Sequence, residues 1–128
     1  MATNIISASP QLRRLSRGLN IFVWLLQILA AGMFFMASFG KLSGNPQMVG
    51  LFQAVGLGQW FRYVTGGIEL VSAVFLLVPR LAAAGAALLV CTMIGAVITH
   101  ITVLHNSPAI PVILLLATAT IAWFRRPF

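Results

Sequence analysis

Acid is almost absent from this chain: Glu69 is its one carboxylate side chain, against eight Lys and Arg in 128 residues. Charged residues of either sign make up 7%, where a soluble domain carries about 25%. The chain therefore lacks the ionic side chains needed to cover a water-soluble core. A single cysteine, Cys91, excludes an internal disulfide and a dithiol relay. There is no nucleotide-binding glycine pattern and no Ser/His/Asp constellation. His100, His105 and Glu69 lack the i,i+3 or i,i+4 pairing of helical metal sites, so no metal is expected.

What remains is apolar. Hydrophobic residues are 60% of the chain and the mean hydropathy is +1.02, values that belong to a bilayer protein. The net charge of +7 is explained by topology rather than by nucleic acid. Arg13, Arg14 and Arg17 precede the first apolar run, Arg80 separates the second from the third, and Arg125 and Arg126 follow the last. With four spans these positions share one face, leaving Lys41 and Arg62 for the other, as the positive-inside rule expects of cytoplasmic segments. No nucleic-acid partner is expected. The Arg13–Arg14 pair resembles a twin-arginine signal, but anchoring accounts for it.

The spans are read at about residues 20–38, 63–78, 81–104 and 108–124, an all-α polytopic membrane four-helix bundle. Pro79 and Arg80 make the turn of a tight hairpin between the second and third, and Ser107 with Pro108 suits the start of the fourth. Residues 1–19 form a basic cytoplasmic N-terminal segment, and residues 20–128 the transmembrane domain. Trp24, Trp60 and Trp123 fall at interfaces, where amphipathic rings prefer to sit. Between the first two spans, Asn45 and Pro46 start a short interfacial amphipathic helix. Its apolar residues Met48, Leu51, Phe52 and Val55 recur at helical spacing until Gly56 stops it. It either caps the bundle or forms a lid over a ligand site.

Glu69 lies about six residues inside the second span. A lone carboxylate in hydrocarbon is costly, so it should face the bundle interior and have a partner. Helical phase offers two. Gln27, Ala31, Phe34, Ser38 and Lys41 form one stripe; Gly66, Glu69, Ser72 and Ala73 form another; Gly85, Thr92, Ala96, Thr99 and His100 form a third. A Lys41, Glu69, His100 cluster in the outer half is expected, with Ser38, Tyr63, Thr99 and Trp60 as supporting residues. Cys91, nine residues from His100, is expected on the opposite side of its helix. Three readings of the cluster stay open. It is a structural ion pair that sets helix register, a group that takes up protons or binds a polar ligand head, or part of a small-solute pathway. Phe34, Phe35, Phe39, Phe52, Phe61 and their neighbours could pack against a quinone ring, or serve only as packing and interface anchors.

The run GMFFMASFGKL at 32–42, then GGIEL at 66–70, then AVITH at 96–100 resembles the DoxX family of small bacterial and archaeal membrane proteins. The similarity covers nearly the whole chain from residue 20 onward, including the order of spans. It implies a four-helix bundle in the cytoplasmic (inner) membrane, with both termini cytoplasmic and Lys41, Glu69 and His100 at the family's characteristic polar positions. The family is named for a subunit of a thiosulfate:quinone oxidoreductase, so the resemblance implies an accessory, non-catalytic subunit of a membrane redox complex. Its partners would be the lipid bilayer and other membrane subunits or further copies of itself, and its ligand a quinone or similar lipophilic molecule. In that reading Lys41 orients Glu69, and Glu69 with His100 accepts or relays a proton. The alternatives are a structural or assembly protein without chemistry and a small-solute transporter.

Overall fold

The computed structural model describes residues 15–127; Arg13 and Arg14 of the basic segment lie outside the described residues. Five helices and no strand are found among them. The first, α1 (Arg17–Leu42), starts where Ser16 accepts a hydrogen bond from the Leu19 N–H at 3.3 Å. It runs without proline until Gly44, at φ +78°, turns the chain. It extends beyond the expected 20–38 span at both ends, and the added last turn puts Lys41 on the helix. The short α2 (Pro46–Val55) begins as the sequence predicts, with Asn45 Oδ1 accepting from the Gln47 N–H at 2.9 Å. It stops at Gly56, φ +84°.

Three helices follow: α3 (Trp60–Leu76), α4 (Ala82–Thr102) and α5 (Ala109–Arg125). The Pro79–Arg80 turn joins α3 to α4 as expected. The α5 cap shifts by one residue: Pro108 occupies the cap position, and Ser107 Oγ accepts from the Ala109 N–H at 3.3 Å. Two helices, α1 and α4, are long and apolar enough to cross a membrane; α3 and α5 have 17 residues each.

The four longer helices close a ring, α1 on α3, α3 on α4, α4 on α5 and α5 on α1. Their inward stripes meet in a core containing Phe34, Ala73, Leu76, Ala86, Leu89 and Ile121. The opposite faces carry exposed Phe22, Leu29, Met36, Ile98, Ile113 and Leu116. In lipid such faces gain nothing by association, so close approach through small residues and internal hydrogen bonds must hold helices together. Gly85 is such a point: a β-carbon there would stand 2.7 Å from Phe75 Cβ and 2.8 Å from the Ser72 carbonyl oxygen. That contact fixes α3 and α4 together just beyond their connecting turn.

A buried ion pair beneath an apolar cavity

On α3, Arg62, Gly66, Glu69, Ser72, Ala73 and Leu76 are the buried residues, spaced at threes and fours along one face. Gly66 lies against Leu42 and Lys41 of α1, which lets the end of α1 come close to α3 one turn before Glu69. Lys41 Nζ then sits 3.0 Å from Glu69 Oε1 and donates to Oε2 at 3.3 Å. The carboxylate side is 2% exposed and the ammonium side 14%. An ion pair this deep loses hydration on both partners, so its net worth is small while the cost of removing one partner alone is large. One turn further in, the Ser72 hydroxyl is buried with no hydrogen-bond partner.

Arg62, grouped with Lys41 by charge counting, lies at the Lys41 end of the bundle and is buried there, 5% exposed. Its Nη1 donates to the Lys41 carbonyl, and its Nε donates to Gln59 Oε1 at 2.8 Å. Gln59 Nε2 in turn donates to the Val49 carbonyl at 3.0 Å. One bonded chain thus ties α2, the start of α3 and the end of α1, satisfying a carbonyl that the last turn of α1 leaves open. The signal was legible, since Arg62 is seven residues, two turns, before Glu69. Tyr63 lies exposed with its ring 4.4 Å from the Arg62 guanidinium carbon. Trp60 is exposed and edge-on to Phe61, and Ser38 is buried, donating to the Phe35 carbonyl at 3.0 Å.

Lys41, Glu69 and His100 line one cavity of about 780 Å³. His100 does not bond to either partner; its Nδ1 donates to the Ala96 carbonyl of its own helix at 2.9 Å. Neutral imidazole with Nδ1 protonated keeps Nε2 as an acceptor. Thr99 lines the same cavity, its hydroxyl donating to the Gly95 carbonyl at 2.8 Å. The remaining wall is mostly apolar and includes Phe34, Phe61, Ile68, Met93 and Leu114. Met48, Leu51, Phe52 and Val55 of α2 cover one side, with Phe52 buried edge-on to Phe61 at 6.0 Å between ring centroids. Cys91 also lines the cavity, correcting the expectation that it points away from His100's side.

A second polar knot was not foreseen. At the other end of the ring, Gln27 is fully buried and donates from Nε2 to the Leu76 carbonyl at 2.6 Å. Its Oε1 accepts from Arg125 Nε at 2.6 Å, and Arg125 Nη1 donates to Asn20 Oδ1 at 2.8 Å. The Trp24 ring lies 5.4 Å from that guanidinium. This joins α1, α3 and α5, and it meets the α3 carbonyl where the helix ends.

The described residues are all helical or loop, with two helices long and apolar enough to cross a membrane, an apolar outer surface and an internally paired acid. The chain belongs to the DoxX-like family, whose model matches residues 25–123. No curated protein and no solved structure matches it. The matched region contains Lys41, Glu69 and His100, whereas Arg125 falls two residues beyond it.

Proposed function

We propose that the chain is a polytopic four-helix membrane protein with both termini on the cytoplasmic side, and that its cavity holds a lipophilic ligand of the quinone type. In this reading it serves as an accessory subunit of a membrane redox complex. The four-span topology is supported by Arg17, Arg80 and Arg125 lying near one end of the ring and Lys41 and Arg62 near the other. Helices of 17 residues reach about 25 Å at ~1.5 Å per residue, so the bilayer thins slightly around them.

The observation that carries the ligand reading is the composition of the cavity wall. Apolar side chains enclose about 780 Å³, a volume within the usual ligand-pocket range of about 300–1,000 Å³. Among them stand an ammonium and an imidazole, donor and acceptor suited to a carbonyl or hydroxyl head. The experiment is extraction in mild detergent followed by mass spectrometry of bound lipid-soluble compounds. A quinone retained by the wild type and lost on replacing Lys41 and Glu69 together by Met and Leu is the expected result; wild-type protein carrying only bulk lipid would overturn it. For the proton role, Glu69→Gln should alter the pH profile of the complex, and an unchanged profile with normal assembly removes that role.

A second reading, favoured by the engagement of both Glu69 oxygens with Lys41, is that the pair only sets helix register. It expects the Lys41→Met, Glu69→Leu chain to fold and assemble with full activity.

A further inference from the structure

We propose that the cleft between α3 and α4 is a lateral portal. Through it a membrane-dissolved amphiphile slides in from the bilayer, carbonyl-bearing head toward the Lys41 ammonium, and leaves its hydrocarbon tail lying in the cleft. The proposal rests on the ligand reading above and adds to it the route and the shape of the molecule.

The cleft follows from helix phase. Gly85 touches α3 so closely that a β-carbon would meet the Ser72 carbonyl oxygen at 2.8 Å. Thr92, Ala96 and Thr99 continue that same face of α4 at intervals of seven, four and three. Were the helices parallel, these residues would pack on α3 as tightly. Instead all three line the cavity and are half-buried, so α3 and α4 diverge from the Gly85 contact onward.

The rim of the opening has the chemistry of lipid contact. On α3 it is made by Val64 and Ile68, 44% and 39% exposed, and on α4 by Leu88, 45% exposed, with Cys91 and Gly95. None carries a charge or a side-chain hydrogen-bonding group stronger than a thiol. They lie along the middle of their helices, at hydrocarbon depth. Over Lys41, by contrast, α2 lays its apolar face across the cavity, with Phe52 buried against Phe61. A molecule with a long apolar tail therefore meets a covered end and an open flank. The flank leads to the polar groups at a point where water need not be crossed, which suits a ligand dissolved in the bilayer.

Gly95 gives a way to close the flank without touching the pair, because a β-carbon there would have nothing within 4 Å. Cys91, the chain's one cysteine, reports on the cleft. The probe is a fully substituted dimethoxy-methyl benzoquinone bearing a ten-carbon chain, added to protein in phosphatidylcholine nanodiscs. The control is the same ring with methyl in place of the chain. Expected in the wild type is slowing of Cys91 alkylation by N-ethylmaleimide, about tenfold at saturating tailed quinone, and little slowing by the tail-less ring. Gly95→Trp, with an unchanged thermal transition, should take up the tailed quinone about tenfold more slowly, as an obstructed entry step lowers the on-rate. Retention of the quinone with Cys91 as reactive as before, or uptake by Gly95→Trp at the wild-type rate, overturns the portal while leaving the ligand reading standing. Failure of the wild type to retain the tailed quinone overturns both.

Discussion

The β-carbon that Gly66 lacks would stand 3.1 Å from Cβ of Lys41. This glycine therefore sets how near the end of α1 comes to α3, and with it whether an ammonium on one helix reaches a carboxylate on the other. Gly85 plays the same part between α3 and α4, against Phe75 Cβ and the Ser72 and Leu76 backbone.

From those contacts an order of stabilities follows. Gly66→Ala should destabilise by about 1–3 kcal/mol, the usual range for overpacking, because Leu42 can turn aside and Lys41 Cβ cannot. Gly85→Ala should cost more, since the Ser72 carbonyl has nowhere to move. Gly67, beside Gly66 but with open space at its β-position, should accept alanine with no loss. Reversible unfolding in mixed micelles measures all three, and equal stability of the Gly66 and Gly67 variants would contradict the close-approach account.

Breaking the ion pair on one side should be worse than removing it. Lys41→Met strands a carboxylate that is 2% exposed, and the expected penalty is about 3–5 kcal/mol. Adding Glu69→Leu should recover most of it. A double variant no more stable than Lys41→Met alone would show that the carboxylate has other essential partners.

Arg62 should resist conservative exchange. Arg62→Lys keeps the charge but replaces a planar fork by a single ammonium, which cannot serve both the Lys41 carbonyl and Gln59 in the arginine's geometry. A loss of about 1–3 kcal/mol, typical of a buried group left unpaired, is expected. Faster proteolysis near Val49 should accompany it, because Gln59 links that residue to Arg62. Protection of α2 equal to that of the wild type would separate the two ends of the chain of bonds.

At the opposite end, Gln27→Leu and Arg125→Met should be non-additive. Each removes the 2.6 Å bond between Nε of Arg125 and Oε1 of Gln27, so the double variant should be less destabilised than the sum by about 1 kcal/mol. A double-mutant cycle in detergent gives the coupling directly, and a value near zero would mean the bond holds nothing that lipid or water does not replace.

The glycines, caps and spacings made most of the elements readable. Asn45, Pro46 and Gly56 marked α2 to the residue, and the Pro79–Arg80 turn was placed correctly. The apolar stretch was bounded at about residue 38, while the helical stripe already ran on to Lys41. In the folded chain Glu69 accepts that ammonium and the helix carries on through Leu42. Arg62 and Arg125 make bonds that counting charges does not show. Along a chain they count as charges to be assigned to one side of a membrane, whereas in space each finds a carbonyl or amide from a helix far away in sequence.

By itself, then, the order of residues determined that the chain is helical and apolar, where its helices begin and turn, and that Glu69 needed company. Those are matters of local propensity and solvation, decided within a few turns. Whether His100 would touch Glu69 was a matter of how far α4 stands from α3, and only the tertiary structure decided that. His100 bonds to the Ala96 carbonyl of its own helix and lines the cavity beside the Lys41–Glu69 pair. The distance between two helices is set at their single closest contact and propagated along rigid rods, and no periodicity within either helix encodes it.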